Sequence, residues 1–358
     1  MNPGQTPRAT TPNGIARAHH IALLPGDGIG PDVVAEAVRV LREVAPSVEY
    51  EELPAGAGEY LRNGDPLPSS TFDRLREFDA ILLGAMGLPG VRWPTGIEMT
   101  PQLDLRERLD LYCGLRPVYL FHPLDSPLRD RTAGSLDILL IRESTEGLFA
   151  GRLRQPDPSS GCVEDTLRIT RSGAERVIRA AFHQAMRRKK HLTLVDKANV
   201  LPSMAFFRSV FDDVAAEFPE VETQRIYVDA AALYLVTQPE RFDVMVTENM
   251  FGDILSDLLA GLVGGMGMAP SADIGDQYAV FQPSHGSAPD IAGQGVANPV
   301  ATILSAALML DWLGEAAAAH IIQAAVATVF SDRDARTRDM GGTLSTSQMT
   351  DAILARLI

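Results

Sequence analysis

Short apolar runs alternate along this chain with longer segments whose apolar residues recur every three or four positions. The runs His20–Leu24, Val48–Leu53, Ala80–Leu83, Leu136–Ile141, His191–Val195 and Phe242–Val246 read as strands. Helical spacing covers Pro31–Val44, Ser69–Arg76, Glu175–Arg188, Met204–Glu217 and Ile254–Val263, then Pro299–Gly314 and Glu315–Phe330. Alternating elements of this kind predict an α/β protein. Polar clusters lie where strands end, at Pro25-Gly26-Asp27-Gly28, Arg142-Glu143-Ser144-Thr145, Asp196-Lys197-Ala198-Asn199 and Thr247-Glu248-Asn249. Open α/β sheets bind ligands beyond the carboxyl ends of their strands, so the repetition favours an enzyme.

Composition narrows the class. At roughly 150 residues per domain, 358 residues suit two domains. Lys and Arg number 32 against 46 Asp and Glu, and the formal net charge of −14 argues against nucleic acid and anionic membranes as partners. Cys113 and Cys162 are too few for a disulfide framework or a thiolate metal cluster and read as reduced core thiols of a cytoplasmic protein. Residues 1–18, rich in Pro, Thr and Gly, lack the apolar run of a signal peptide and read as a disordered lead-in. The apolar stretch 301–330 is broken by Asp311, Glu315 and His320, so a membrane span fails.

The sharpest chemical signal is Asp253-Ile254-Leu255-Ser256-Asp257. On a helix, residues four apart share a face, so both carboxylates project together. Such a pair suits a hard divalent cation, Mg²⁺ or Mn²⁺, and equally suits a helix N-terminus, where acids are welcome without any metal. The expected apolar stripe of that helix is Ile254, Leu255, Leu258, Leu259 and Leu262. Arg106, Arg116 and Arg142 are candidate carboxylate binders because a guanidinium fork matches a carboxylate; surface charge is the plainer reading. Lys197, just past an apolar strand, is a candidate proton carrier or an ordinary loop lysine. The turn Gly26-Asp27-Gly28-Ile29-Gly30-Pro31 departs from the G-x-G-x-x-G fingerprint and reads as a tight turn or a phosphate cradle. The loop His285-Gly286-Ser287-Ala288-Pro289-Asp290-Ile291 suits an adenosine, and an acid for its ribose hydroxyls favours NAD over NADP.

Taken in order, the segments 24–31, 110–118, 195–201, 246–257 and 285–293 resemble the isocitrate and isopropylmalate dehydrogenase family, the metal-dependent β-decarboxylating dehydrogenases. The likeness runs from about His20 to the C-terminus. It implies a two-domain α/β fold with a mixed sheet flanked by helices, distinct from a true Rossmann fold. One domain, on the cofactor side, would comprise about 19–111 and 264–358. The other, for substrate and dimerisation, would comprise about 112–263, with an arm near 151–166 pairing across a homodimer. The resemblance assigns substrate carboxylates to Arg106, Arg116 and Arg142, and the metal to Asp253 and Asp257. It has Asp229, as a further metal ligand, and the catalytic Lys197 reach the site from the second subunit. The NAD pocket falls to His285, Gly286, Ser287, Ala288, Asp290, Ile291 and Asn298. The implied reaction oxidises C2 of a C3-substituted (R)-malate and then releases CO₂.

Three departures bear on that reading. Phe149 stands where the family has a tyrosine credited with protonating the enolate. Gln282 stands where a glutamate is expected. Thr100 and Gln102 occupy the substrate-side segment where isopropylmalate enzymes present a leucine pair, and a buried amide rejects a branched alkyl group. The expected substrate is therefore a more polar malate. The rival expectation, from Phe149 and Gln282, is a weak or non-catalytic regulatory homologue.

Overall fold

The computed structural model describes residues 18–152, 159 and 161–357. The expected lead-in lies outside these residues except for Ala18, and of the expected arm only 151–152, 159 and 161–166 fall within them. In chain order the first elements are β1 (His20–Gly26), α1 (Gly30–Val44), β2 (Glu49–Glu52), α2 (Ala57–Asn63), α3 (Ser69–Leu75), β3 (Ala80–Ala85) and α4 (Pro101–Arg108). Then come β4 (Cys113–Tyr119), β5 (Asp137–Glu143), α5 (Arg171–Met186), β6 (His191–Asp196), α6 (Pro202–Ala215), β7 (Glu222–Tyr227), α7 (Val228–Thr237), β8 (Val244–Thr247) and α8 (Asn249–Gly261). The chain closes with β9 (Pro270–Ile274), β10 (Ala279–Pro283), α9 (Val300–Leu313), α10 (Ala316–Ser331) and α11 (Thr346–Leu354).

All ten strands join one mixed sheet in the order β2-β1-β3-β10-β9-β4-β5-β8-β6-β7. Its two ends are parallel, as helical crossovers require, whereas β10-β9, β9-β4 and β4-β5 in the middle are antiparallel. Strands from both chain ends thus form one half of the sheet, and strands from the middle of the chain form the other. The halves meet where β9 lies beside β4, with Gly114 opposite Asp273.

Helices cover both faces. On the first half, α1, α9, α10 and α11 pack over Leu82, Phe281, Ile303, Leu310 and Phe330. α9 is buried nearly all round because the sheet lies beneath it and α1 and α10 lie beside it. The opposite face buries Leu24, Leu75, Leu83 and Leu105. In the second half α5 and α6 bury Phe182, Phe207 and Phe211, while α7 and α8 cover Val195, Leu235, Met245 and Leu259. Two expectations change here. Cys113 is buried as expected of a core thiol, but Cys162 is exposed, outside the apolar cores. Leu255 and Leu259 of α8 are buried, as is Leu262 just past its end, whereas Ile254 turns outward at 56% exposure.

The glycine-rich first turn is a packing device. Gly28 has φ +60°, and a Cβ there would lie 1.9 Å from the Ser287 carbonyl oxygen. The next amide, Ile29 N–H, donates to that same oxygen at 2.8 Å. The Asp27 carboxylate is buried and accepts from the amides of Ala57 (2.7 Å), Gly58 (2.8 Å) and Gly87 (2.8 Å). The turn therefore seats the 285–291 loop against β1 and α1, and the tight-turn reading prevails over a phosphate cradle. Gly28→Ala combines a left-handed backbone with a backbone clash, and should lower stability by roughly 2–4 kcal/mol. Urea unfolding measures it; a loss under about 0.5 kcal/mol, the scale of a neutral surface change, would show that the turn can shift freely.

Candidate active site

One cleft opens over the seam of the sheet. Its cavity measures about 180 Å³. Gln102 and Arg106 reach it from α4, Arg116 from β4 and Arg142 from β5. Asp253 and Asp257 enter from α8, Gln282 from β10, and His285 and Gly286 from the following loop. The structure thus brings together the three predicted arginines, both predicted α8 aspartates and one of the two predicted specificity residues. Thr100 lies just before α4 and is not among the lining residues.

The floor carries a residue that the sequence reading missed. Asp273, on β9, has no solvent exposure. Its Oδ2 accepts from Arg106 Nε at 2.9 Å and Gln282 Nε2 at 2.8 Å, and its Oδ1 accepts from Arg116 Nη2 at 2.9 Å and Ser144 Oγ at 3.3 Å. Burial alone would raise this carboxyl; Arg106 and Arg116, with Arg142 behind them, reverse that and hold it well below the usual carboxylate range. Gly114 makes room, since a Cβ there would stand 2.6 Å from Ser144 Oγ and 3.1 Å from Asp273 Oδ1. The only sequence signal was an acid inside a short apolar segment, Pro270–Ile274, which needs basic partners when buried.

Arg142 is buried on the other side of the cleft. Its Nε and Nη2 donate to Asn249 Oδ1 at 2.9 and 2.7 Å, and its Nη1 to Asp253. Burial, reinforced by Arg106 nearby, lowers its guanidinium to about 10. The Phe149 ring lies 5.3 Å from that guanidinium.

α8 begins earlier than its apolar spacing indicates. Glu248 caps it, accepting from Met250 N–H at 3.1 Å and Phe251 N–H at 2.6 Å. Asp253 therefore sits in the second turn, past the free amides, and the reading of the pair as helix-terminal acids fails. Asp257 one turn on is raised by partial burial and by Asp253 beside it. Two oxygen donors so placed fit a divalent cation.

Lys197 and Asp229 stand apart from the cleft. Asp196, fully buried, accepts from Arg208 at 2.7 and 2.8 Å and from Ala198 N–H at 2.9 Å, which fixes the turn presenting Lys197. Lys197 Nζ donates to Asp229 Oδ1 at 2.6 Å, and this bond holds Asp229 below its ordinary value. Neither lines the cleft of its own chain. Among the described residues no group of three or more His, Cys, Asp or Glu gathers into a metal site within one chain.

In the 285–291 loop, His285 Nδ1 lies 2.9 Å from Gly286 O, so Nδ1 carries the proton and Nε2 is a bare acceptor. That Nε2 is buried without a partner. Ser287 is buried and bonded to Gly87 O, while Asp290 is exposed. Asn298 is engaged in the fold, donating to Asp339 at 3.2 Å and accepting from Val300 N–H at 3.1 Å.

With this geometry in hand, known proteins supply the frame. The isocitrate/isopropylmalate dehydrogenase family profile matches residues 20–353. The chain belongs to that family. A 3-isopropylmalate dehydrogenase of Corynebacterium efficiens is 45% identical over 345 residues, covering 94% of this chain and 99% of that protein. One from Nocardia farcinica is 47% identical with the same coverage. Among solved structures, the isocitrate dehydrogenase of Methylococcus capsulatus superposes with TM-score 0.86 at 38% identity, covering 95% of this chain and 99% of that one. A β-decarboxylating dehydrogenase from Thermococcus kodakarensis gives TM-score 0.81 at 38% identity, covering 95% and 96%. The expected α/β fold of this family, with its mixed sheet, is the fold observed. Membership makes the chain an oxidoreductase, an NAD-dependent β-decarboxylating dehydrogenase acting on a CH–OH group. The expectation of a regulatory, non-catalytic homologue gains no support. No helix among the described residues is long and apolar enough to cross a membrane.

The half-buried His285 makes stability depend on pH. Burial lowers its imidazole from the ordinary 6.5, so between the lowered value and 6.5 the unfolded chain binds a proton that the folded chain refuses. This contribution is full above pH 6.5 and is lost as pH falls below it. The urea midpoint should therefore drop less between pH 7.5 and pH 5.5 in His285→Gln than in the parent. Equal drops would remove His285 from the account.

Proposed function

We propose that the protein oxidises and decarboxylates a C3-substituted (R)-malate whose substituent is polar, using NAD and Mg²⁺ or Mn²⁺, in a homodimer with shared active sites. The observation that carries the polar substituent is Gln102. Its Oε1 is buried at the cleft without a hydrogen-bond partner, an arrangement that an alkyl substituent leaves unpaid and a donor group satisfies. The names of the relatives favour a second reading, 3-isopropylmalate itself.

Each residue's part follows from its place. Arg106 and Arg116 offer their cleft-facing nitrogens to a substrate carboxylate, and Arg142 lies where a second would sit. Asp253 and Asp257 would hold the divalent cation, which supplies Lewis-acid stabilisation of negative charge developing at the C2 oxygen. His285 Nε2, Gly286, Ser287, Ala288, Asp290, Ile291 and Asn298 are assigned to the NAD site; the bare Nε2 awaits a donor. Phe149 carries no proton, so the carbon that loses CO₂ takes its proton from another group or from water.

Completion of the site calls on a second copy of the chain. Lys197 as proton carrier and Asp229 as third metal ligand lie outside their own cleft. Exposed apolar side chains lie on the same stretches of chain, Val200 at 63% after Lys197 and Leu233 at 59% one turn after Asp229, and on the adjoining α8 Ile254 is exposed at 56%. A two-fold contact across α7 and α8 would bury these and carry each pair into the neighbour's cleft.

NADH formation with Mn²⁺ across D-malate, tartrate, isocitrate, homoisocitrate and 3-isopropylmalate tests the reading. Turnover should be best on a polar member and abolished in an Asp253→Asn, Asp257→Asn double variant. Preference for 3-isopropylmalate would establish the second reading, and silence on every compound from folded protein would refute both. Sharing of sites has its own test. Lys197→Met and Asp253→Asn proteins, each inactive alone, should recover about a quarter of parental activity when subunits are mixed, as random pairing of half-sites gives. No recovery after verified subunit exchange would place both residues in one chain's site.

A further inference from the structure

We propose that Asp273 is a built-in counter-ion that limits this cleft to two substrate carboxylates, so that the C3 substituent is neutral and a third carboxylate is turned away. The inference rests on the dehydrogenase reading in naming the ligand a malate and in setting a divalent cation against Asp253 and Asp257.

The argument is one of matched charges. Asp273 lies fully buried between two of the three guanidiniums and each of its oxygens takes two donors. A carboxylate so saturated cannot swing aside for a ligand without leaving buried charge unpaired. Arg106 and Arg116 share it, so together they retain one unmatched positive charge. Arg106 uses only Nε on Asp273, and its two terminal nitrogens have no partner among the described residues, leaving one fork for one incoming carboxylate. Arg142 has Asp253 as its counter-charge. A divalent cation on Asp253 and Asp257 matches those two carboxylates, which leaves Arg142 free for a second substrate carboxylate. Lys197 and Asp229 neutralise one another and add nothing to the balance. Two positive charges remain for the ligand, the charge of a substituted malate with an uncharged substituent.

Gln282 is the positioning residue of this arrangement. Asp273 is ionised and can only accept, so the Gln282 amide must turn its NH₂ toward it, at 2.8 Å. The direction of that amide is thereby set by chemistry, and its carbonyl oxygen is left for a neutral donor. A glutamate at 282 would place a second carboxylate against Asp273, and like charges that close cannot both ionise.

Calorimetric binding of succinate and tricarballylate, with Mg²⁺ present, tests the limit on the full chain. Neither probe has a C2 hydroxyl, so no turnover is needed and the result stands apart from the NADH assay. Succinate should bind at least about tenfold more tightly than tricarballylate, an effect of one unmatched charge in a partly buried site. Asp273→Asn keeps the shape and an acceptor oxygen while removing the charge. It should tighten tricarballylate about tenfold and succinate less. Gln282→Glu, should Asp273→Asn fail to fold, should weaken succinate and make its binding depend on pH, because the new pair shares a proton; the parent should show no such titration. Tricarballylate binding the parent as tightly as succinate, neither probe binding, or Asp273→Asn or Gln282→Glu leaving the preference and its pH profile unchanged would each overturn the proposal.

Discussion

A single buried carboxylate organises the centre of this molecule. Asp273 sits on β9 at the seam where the strands from the chain's two ends meet those from its middle. Its four donors come from α4, β4, β10 and the loop after β5, so one group ties together elements far apart in sequence. Left alone, a buried carboxylate and three buried guanidiniums would each carry a large desolvation penalty; brought together they offset one another. The seam can be polar inside a sheet whose other strands are apolar because every member of the cluster has a partner. Gly114 belongs to the same solution, since any side chain opposite Asp273 would occupy the space that Ser144 and the carboxylate fill.

Much of the sheet around this centre is legible in the chain's apolar runs. The strands His20–Leu24, Ala80–Leu83 and His191–Val195 are largely buried runs, and all three lie in the sheet where apolar runs belong. β4, β7, β9 and β10 escaped the same reading for physical reasons. β4 carries Arg116 and Pro117, and β7 reads Glu222-Thr223-Gln224-Arg225 at a sheet edge that has solvent beside it. β9 and β10 are five-residue strands with Asp273 and Gln282 near their centres. In each, tertiary partners supply what periodicity lacks. α4 is similarly obscure, because a helix whose polar residues serve the cleft and whose Leu105 alone is a buried aliphatic shows little amphipathic pattern.

The candidate site was legible by type more than by partner. The four-residue spacing of Asp253 and Asp257 put both on one helix face, but the Glu248 cap decided which turn they occupy and so removed the helix-terminal reading. Convergence of Arg106, Arg116 and Arg142 cannot be read from positions 36 residues apart in the chain; it follows from β4 pairing with β5 and α4 packing beside them. Asp273 had no motif around it, and its importance lies wholly in what surrounds it.

The two halves of the chemistry are held in different ways, and that difference says how the site is built. The arginine floor is rigid, buried and complete within one chain, with each guanidinium bonded to an acceptor. Lys197 and Asp229 are half-exposed or exposed, bonded to one another, and bordered by apolar side chains open to solvent. Asp196 and Arg208 beneath that pair fix the turn that presents Lys197. On the proposed reading, recognition of the substrate's carboxylates would belong to the single fold. Proton transfer and the third metal ligand would, on the same reading, come from an assembly, and chemistry would wait for a second chain to close over the cleft.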